Sequence, residues 1–528
     1  MKELVFPRLL EGALAQYPDR VAVVGEYGDE RYQATYAEHI DRVLRLKRAL
    51  AEGLDVAATD RFAVIADNSH RYLELWHAAL FGAGIVTPLN SRLAEPELEY
   101  ILNDAGVETV FVDTAHAAVI ERLRGSTEVR TVVLLDDGEG VHDIRYEALI
   151  SGHEPAVDGE PDEDDIAILM YTGGTSGRAK GVQLSQRSQV LNIYHMDFMY
   201  RYFGAEDVFL MNTPMFHVAG CLGLMGMPSA GGRVVILPGF EPGSTIEAIE
   251  RHRVTRIGGV STMLAMLFAH PDFSPDRLRS LRAIAYGGAP MPEDLMSRLL
   301  AAFPDCDLFQ VYGMTEMSAV LTSLRTDDHR AGGERVRSAG RVLPGVRIEI
   351  RDPATDRPLP AGEVGEIVAQ CGAAMTGYWG QPEATATAFR DGWYHTGDMG
   401  RLDEGGYLYV TDRLKDMIVT GGENVYSIEV ESALSTHPAV AQAAVIGIPS
   451  EQWGEAVHAV VVVRPDHQLS EQEVLDHLRP QLAGYKLPKS VEMRTDPLPM
   501  SAAMKILKRE LREEHQAAEA VHLDIRAG

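Results

Sequence analysis

The stretch YTGGTSGRAKG, at residues 171–181, decides how the rest of this sequence is interpreted. It follows an apolar run at residues 166–170 that is typical of a buried strand, so glycines, hydroxyls and two cations stand where a strand ends. Glycines let backbone N–H groups come close to anionic oxygens, and serine and threonine supply hydroxyl donors. The pattern predicts a phosphate-binding loop, with an ordinary surface turn as the alternative.

The loop differs from a Walker P-loop, in which Gly-Lys-Ser/Thr follows the first glycine by four residues, so that mechanism is not expected here. Backbone N–H groups, hydroxyls and one cation make up the predicted set of phosphate ligands. They are Thr172, Gly173, Gly174, Thr175, Ser176, Gly177 and Lys180.

Composition limits the class of protein. At 528 residues the chain is too long for one hydrophobic core, so two or more domains are expected. A net charge of −28 disfavours nucleic acids and anionic membranes as partners. Three widely spaced cysteines without a CxxC pair support neither a disulfide framework nor a zinc site. We expect a cytoplasmic protein, because the sequence shows no signal-peptide pattern and no apolar run of about 18 residues that would span a membrane.

Segment patterns predict an α/β fold. Up to about residue 150, strand-like and helix-like segments alternate, which predicts a mostly parallel sheet flanked by helices. A second α/β unit begins at the loop, and turn-rich residues 331–397 predict a small β subdomain. From about residue 412 the pattern changes to that of a smaller α+β domain. We therefore expect a large N-terminal domain of two doubly wound α/β subdomains plus a small β subdomain, followed by a small C-terminal domain.

Six motifs occur in order along the chain. They are YTGGTSGRAKG, YGGAPM at 286–291, VYGMTE at 311–316, WYHTGD at 393–398, DRLKDMIVTGGENVYSIEVE at 412–431 and MKILKREL at 504–511. Together they resemble the adenylate-forming (ANL) superfamily over residues from about 10 to 515, in particular its branch of fatty-acyl and aryl-CoA ligases. The resemblance implies that a carboxylate attacks the α-phosphorus of MgATP to give an acyl-adenylate, from which the thiol of coenzyme A displaces AMP. ATP/AMP, Mg²⁺ and coenzyme A are thus the implied cofactors.

The resemblance also implies a nucleotide site. Residues that would border the nucleotide are Gly288, Ala289, Pro290, Gln310, Val311, Tyr312, Gly313 and Met314. Asp398 would accept hydrogen bonds from the ribose hydroxyls, and Arg413 would assist it. Thr315 would face the α-phosphate and Glu316 would ligate Mg²⁺, which favours one or two carboxylates with phosphate oxygens. The plainer alternatives are a turn cap for Asp398 and a helix start for Glu316.

Lys505 resembles the catalytic lysine that bridges the substrate carboxylate and the α-phosphate, although a solvated basic helix face is the alternative. Lys415 occupies the hinge position, so the resemblance implies an N-terminal domain at 1–411, a hinge at 412–416 and a mobile C-terminal domain at 417–528. Rotation of that domain would replace Lys505 in the site. The residues brought in would be Gly421, Gly422 and Glu423, whose glycines leave room for the pantetheine arm unless they form a simple hairpin turn.

His217 stands where aminoacyl-activating relatives carry an aspartate, so it argues against α-amino acids and resembles aryl- and fatty-acyl ligases. A buried structural histidine is the alternative. The further wall of the acyl pocket would be Thr262, Met263, Tyr286, Gly287 and Gly288. Because these positions are mostly apolar and include a methionine, they suit a hydrophobic acid of medium size, whether medium-chain, aryl or polycyclic.

The sequence departs from the family pattern at the phosphate loop and before the lysine. Gly173, Ser176 and Ala179 replace the usual serine, threonine and proline, and Ala-Ala-Met-Lys replaces Pro-Ser-Gly-Lys at 502–505. One alternative is therefore an enzyme that mainly transfers a preformed acyl-adenylate to coenzyme A. Others are an acid–AMP ligase that loads a separate carrier protein, since too little chain follows Lys505 for a fused one, and a non-catalytic nucleotide-binding protein. A homo-oligomer is also possible.

Overall fold

The computed structural model describes residues 2–28, 30–157, 159–172, 178–200, 203–288, 291–420, 423–450, 452–465, 467–501 and 506–527. The chain divides into two compact units, the first made of Met1–Arg347 and Ala369–Tyr394 and the second of Ile348–Val368 and His395–Gly528. Some predicted site residues lie outside the described residues. They are Gly173, Gly174, Thr175, Ser176, Gly177, Ala289, Pro290, Gly421, Gly422 and Lys505.

The α-helices follow the predicted alternation. They are α1 (Phe6–Gln16), α2 (Tyr36–Arg48), α3 (His70–Leu80), α4 (Glu95–Ala105), α5 (Thr114–Leu123), α6 (Tyr146–Ser151), α7 (Gln186–Tyr200), α8 (Val218–Ser229), α9 (Pro242–His252), α10 (Ser261–Ala269), α11 (Glu293–Ala302), α12 (Thr326–Ala331), α13 (Pro382–Ala388), α14 (Ser427–Ser435), α15 (Glu471–Leu478) and α16 (Lys508–Ala527). Short helical turns occupy Ala49–Gly53, Arg124–Ser126, Thr315–Met317, Gly333–Arg337 and Gly484–Lys486. Among the described residues, no helix has both the length and the hydropathy needed to span a membrane.

The strands of the first half are β1 (Val21–Tyr27), β2 (Glu30–Thr35), β3 (Arg61–Ile65), β4 (Ile85–Pro88), β5 (Thr109–Val112), β6 (Thr131–Leu134), β7 (Ile144–Arg145), β8 (Ile166–Thr172), β9 (Lys180–Ser185), β10 (Val208–Met211), β11 (Arg233–Ile236), β12 (Arg256–Gly259), β13 (Ala283–Gly287), β14 (Asp307–Tyr312), β15 (Thr322–Leu324) and β16 (Arg341–Val342). Those that follow are β17 (Arg347–Arg351), β18 (Gly365–Gln370), β19 (Gly377–Tyr378), β20 (Phe389–Arg390), β21 (Trp393–Leu402), β22 (Leu408–Arg413), β23 (Ile418–Thr420), β24 (Glu423–Val425), β25 (Val440–Ser450), β26 (Gly454–Val463) and β27 (Ser490–Arg494).

Two large sheets build the first unit and confirm the two doubly wound subdomains. One has nine strands in the order β16-β15-β14-β13-β12-β10-β11-β1-β2, and the other has eight in the order β19-β9-β8-β4-β3-β5-β6-β7. Their central strands are parallel, and antiparallel strands lie only towards the edges. The strand order differs from the chain order at β1, which pairs in parallel with β11 and so joins the nine-stranded sheet. The prediction that the second α/β subdomain begins at the 171–181 loop is wrong, because β8 and β9 on either side of the loop belong to the eight-stranded sheet with β3 and β4.

Parallel strands bring the loops of the predicted site to one edge of the nine-stranded sheet. Strands β10, β12, β13 and β14 run in the same direction, so the loops after them leave at the carboxyl edge. Ligands of open α/β sheets bind at that edge. A hydrophobic cluster that includes Ile257, Ile284 and Leu308 packs on the sheet and fixes these strands.

The remaining two sheets are smaller. A five-stranded sheet of order β17-β18-β21-β20, in which β22 also pairs with β21, forms a small β subdomain as predicted. Its bounds differ from the predicted 331–397, because β22 extends the sheet to Arg413, while β16 and β19 join the two large sheets. The C-terminal sheet has the order β24-β23-β26-β25, with β27 paired to β26, and three helices complete the predicted α+β fold. The boundaries predicted for the hinge stay a prediction.

Candidate active site

The predicted phosphate loop follows β8 and precedes β9, which pair as antiparallel strands. Thr172 at the end of β8 pairs with Lys180 at the start of β9. The Tyr171 hydroxyl donates to the Asp104 carboxylate at 2.5 Å, and burial raises the pKa of Tyr171. The Trp379 indole N–H also donates to the Asp104 backbone carbonyl, at 3.1 Å. The Trp379 backbone N–H donates to the Gly181 carbonyl on β9 at 2.7 Å, so both strands that flank the loop are held by polar contacts.

Tyr378 connects two predicted ligands that are far apart in the sequence. Its hydroxyl donates to Glu316 Oε1 at 3.1 Å, and Lys180 Nζ lies 4.8 Å from the centre of its ring. Burial, and then the charge of Glu316, raise the pKa of Tyr378, so the hydroxyl remains a donor. The Met375 N–H donates to the Glu316 carbonyl at 2.8 Å and fixes the backbone there. Tyr378 was not predicted from the sequence, because a tyrosine in a turn-rich segment carries no distinguishing pattern.

The backbone around the predicted Thr-Glu pair is tightly constrained. A Cβ on Gly313 would lie 1.8 Å from the Ala319 carbonyl oxygen, so only glycine fits at that position. Thr315 is buried, and the next turn places Ser318 at φ 56° and Ala319 at φ 105°. Left-handed backbone at non-glycine residues is strained and is often found at functional sites. The Ser318 hydroxyl accepts from the buried Gln189 amide at 3.2 Å, which supports this turn.

The ends of β13 and β14 carry the predicted adenine-binding residues. Gln310 and Val311 pair with Tyr286 and Gly287, so these predicted residues are neighbours. Gly287 lies so close to β14 that a Cβ would be 2.5 Å from the Val311 carbonyl oxygen, and Gly288 follows with φ 76°. Tyr312 ends β14, and Met314 lies just beyond it.

The loop that carries His217 is shaped by Asn68. The Asn68 side chain donates to the Thr213 carbonyl at 2.9 Å and accepts from the Met215 N–H at 2.8 Å. Asn68 is buried, so loss of its side chain would leave backbone groups without these partners. The Gly220 N–H donates to the His217 carbonyl at 2.9 Å, which joins the loop to α8. Asn68 was likewise not among the residues predicted from the sequence.

The predicted acyl-pocket residues occupy different environments. Thr262 and Met263 lie in the first turn of α10, and Met263 is buried with its sulfur near Gly259. Tyr286 is only 1% exposed and belongs to the hydrophobic cluster on the nine-stranded sheet. Its hydroxyl lies 2.7 Å from His329 Nε2. Its pocket role stays a prediction.

In the second unit, the structure brings the predicted ribose-binding pair together. Asp398 on β21 faces Arg413 on β22 in register, and Arg413 Nε lies 3.4 Å from Asp398 Oδ1. The buried Glu366 supports the turn before Asp398: one oxygen lies 2.8 Å from His395 Nδ1, and the other accepts from the Gly397 N–H at 3.2 Å. Glu366 was not singled out from the sequence.

The segment predicted to be the hinge is linked to two helices of the same unit. The buried Asp412 accepts from the Ser427 hydroxyl at 3.0 Å at the start of α14, and burial raises the pKa of Asp412. Asp416 Oδ1 lies 2.8 Å from Arg512 Nη2 of α16. Lys415 lies between these two carboxylates in the sequence. Glu423 is exposed and begins strand β24.

The chain is similar over most of its length to known proteins. Residues 10–379 match the family model described as AMP-binding enzyme, and residues 429–505 match that of the AMP-binding enzyme C-terminal domain. A feruloyl-CoA synthase from Amycolatopsis sp is 39% identical over 90% of this chain and 93% of its own. A fatty acid–[acyl-carrier-protein] ligase, ScoC of Streptomyces coeruleorubidus, is 36% identical over 89% of each chain. The crystal structure of ATP-bound MatB from Rhodopseudomonas palustris has a TM-score of 0.86 at 32% identity, covering 96% of this chain and 98% of its own.

Proposed function

The chain belongs to the AMP-binding enzyme family and is an AMP-forming acyl-CoA synthetase, and we propose that it activates a hydrophobic carboxylic acid of medium size. The reaction uses ATP, Mg²⁺ and coenzyme A. The choice of acid rests on one segment, residues 213–229, which leads from the carboxyl end of β10 into α8. His217 and Cys221 are the only ionisable residues in the sequence of this segment. A pocket lined by such a segment would favour apolar acyl groups.

We assign phosphate binding to the loop between β8 and β9 and to Lys180, the first residue of β9. Negative charge develops on the phosphate oxygens as the acid attacks the α-phosphorus, so fixed cations and N–H donors stabilise that transition state. Thr315 would donate to the α-phosphate from the constrained turn after β14. Lys505 would bridge the acid and the phosphate during adenylation, and Asp398 with Arg413 would hold the ribose.

Glu316 is the proposed Mg²⁺ ligand. A carboxylate is a ligand that a hard cation favours, and Tyr378 orients this one by a hydrogen bond to one of its oxygens. Mg²⁺ bound there would offset the negative charge of the phosphates. Tyr378 would orient this carboxylate, and its ring would place Lys180 on the same side.

For the second half-reaction, we propose that the C-terminal domain turns about Lys415. This movement would withdraw Lys505 and present Gly421, Gly422 and Glu423 to the thiol of coenzyme A. We also propose a cytoplasmic location and leave a homo-oligomer as a prediction for light scattering.

The acid is tested with a panel of aliphatic, aryl and polycyclic carboxylates, each with ATP and coenzyme A, and products are identified by mass. We expect acyl-CoA and AMP from apolar acids of medium size. Dicarboxylates and α-amino acids serve as controls of similar size. Faster turnover of either control class would overturn the proposed specificity.

Two alternatives are favoured by specific observations. The altered phosphate loop favours an enzyme that mainly uses preformed acyl-adenylate. To test this alternative, AMP release from ATP plus acid is compared with coenzyme A consumption from synthetic acyl-adenylate. Comparable rates of the two reactions would exclude it. The name of the similar ligase ScoC gives an acyl-carrier protein as its substrate, which favours a carrier protein as the acceptor of the acyl group. Thioester formation on free coenzyme A, without any carrier, would argue against that alternative.

A further inference from the structure

Three side chains that can bind metal ions meet in the second unit, in what we call the His-Glu-His cluster: His458 on β26, Glu492 on β27 and His515 on α16. One ligand atom of each lies within 4.8 Å of the others. His458 Nε2 is 3.8 Å from Glu492 Oε2, and the two imidazole rings are 4.6 Å apart. The three residues come from three different elements, so the fold itself brings them together.

The local structure explains why they share one face of the sheet. His458 pairs with Ser490 in the parallel ladder, so Glu492 lies two residues further along on the same face. Val460 and Val462 of that face pack with Leu511 of α16 in a small hydrophobic cluster. His515 lies one helical turn after Leu511, which directs it to the same side of α16.

His458 has the environment of a metal ligand. It is only 4% exposed, and its Nδ1 lies 2.7 Å from the Ser490 hydroxyl. Its Nε2 is buried and has no hydrogen-bond partner among the described residues. If Nδ1–H donates to Ser490, the Nε2 lone pair points towards Glu492, as in metal-binding histidines whose other nitrogen is held by a neighbour.

The surrounding charges favour a cation. Glu492 Oε1 accepts from Arg494 Nε, which leaves Oε2 directed at His458. Arg494 also pairs with Glu514 at 2.8 Å. Two carboxylates, Glu492 and Glu514, therefore surround one guanidinium, so these three charged groups have a net negative charge.

We propose that the His-Glu-His cluster binds a divalent transition-metal ion, with Zn²⁺ as the best fit, and so ties α16 to the C-terminal sheet. Two imidazoles and one carboxylate form a ligand set that zinc uses in proteins. Zinc–ligand bonds of about 2.0–2.2 Å require ligand atoms roughly 3.3 Å apart, so small side-chain rotations of Glu492 and His515 complete the site. The site is distinct from the Mg²⁺ site at Glu316, and it does not depend on the proposed function.

The first test measures Zn²⁺ binding to the full chain after metal removal with a chelator. Competition with a chromogenic zinc indicator gives the affinity, and elemental analysis gives the stoichiometry. We expect about one Zn²⁺ per chain and, for His515→Ala and Glu492→Gln, affinity reduced by at least about tenfold. His467→Ala removes an exposed histidine elsewhere in the unit and should bind like wild type. Equal affinity in wild type and both cluster variants would overturn the proposal.

The second test uses thermal unfolding and Co²⁺ absorption. An ion that binds only the folded state raises Tm by mass action, so Zn²⁺ should raise Tm in wild type and in His467→Ala but not in His515→Ala. His515 and Glu492 are only partly buried, so their variants should fold, which melting curves without metal will check. Co²⁺ should give a visible d–d spectrum in wild type that disappears in Glu492→Gln. A zinc-induced rise in Tm that is the same in His515→Ala would contradict the site.

Discussion

The two halves of the predicted site are supported in different ways. In the first unit, Glu316 and the His217 loop are held by neutral side chains, Tyr378 and Asn68, that are remote in the sequence. In the second unit, Asp398 lies on a strand whose turn is supported by the buried carboxylate Glu366. Neutral supports avoid the desolvation cost of a buried charge, whereas charged ones make stronger hydrogen bonds that are costly to break. Removing a charged support should therefore cost more stability than removing a neutral one.

The largest effect is expected for Lys505→Ala. By analogy with other groups that stabilise transition-state charge, its loss should reduce adenylation roughly 10²- to 10³-fold. Coenzyme A consumption from a synthetic acyl-adenylate should stay close to wild type, because that half-reaction does not use the lysine. Stopped-flow measurement of both half-reactions provides the test, and an equal loss in both would contradict the assigned role.

Glu366→Ala tests the charged support. It removes the acceptor of the Gly397 N–H and the carboxylate beside His395, so we expect a loss of about 3 kcal/mol in the free energy of unfolding of this region. Urea unfolding followed by circular dichroism measures it, and KM for ATP should rise as Asp398 loses its position. Glu363→Ala, an exposed glutamate on the same segment, is the matched control. Similar stability of the two variants would show that the buried carboxylate is not a support.

Asn68→Ala tests the neutral support. Two buried backbone groups, at Thr213 and Met215, lose their partner, which should cost about 2 kcal/mol of stability. The acid should bind more weakly as the His217 loop relaxes, so KM for the acid should rise more than KM for ATP. Asn103→Ala, which removes one exposed hydrogen bond, is the control. A rise confined to KM for ATP would place Asn68 outside the acid site.

The fold class could be predicted from the sequence because the patterns that indicate it are local. Each βα repeat shows an apolar run and an amphipathic helix within a few residues, so the doubly wound subdomains could be expected. The position of β1 could not, since its pairing with β11 depends on strand order across the whole chain. The edge strand β2 lacks an apolar run and forms only because it pairs with β1.

The same distinction applies to the site. Glu316 and Asp398 could be predicted as site residues because they belong to recognisable sequence motifs. The residues that hold them in place by hydrogen bonds could not be predicted. Tyr378 and Asn68 contact the site through tertiary structure alone. Likewise, the cysteine count argued against zinc, while the His-Glu-His cluster uses single residues from three elements and leaves no spacing pattern to detect.

Tyr378→Phe tests whether a neutral hydrogen bond orients the Mg²⁺ ligand. The change keeps the ring beside Lys180 and removes only the donor to Glu316, so we expect a loss of about 1.4 kcal/mol, which is about a tenfold weaker apparent Mg²⁺ affinity. Titration of Mg²⁺ at saturating ATP measures it. Tyr394→Phe removes the neighbouring hydroxyl, 3.5 Å from that of Tyr378, and serves as the control. An unchanged Mg²⁺ dependence in Tyr378→Phe would leave only a packing role.

The smallest effect is expected for Arg413→Gln. Arg413 is about half exposed, and its 3.4 Å contact with Asp398 is therefore screened by water and salt. An exposed pair of this kind contributes at most about 1 kcal/mol, so KM for ATP should rise no more than about fivefold. Measurement at low and high ionic strength sharpens the contrast with Glu366, because salt should reduce the difference between wild type and Arg413→Gln but leave the Glu366→Ala defect unchanged. If the Arg413→Gln effect exceeded that of Glu366→Ala, the ribose contact itself, rather than the buried support beneath it, would control nucleotide binding in the second unit.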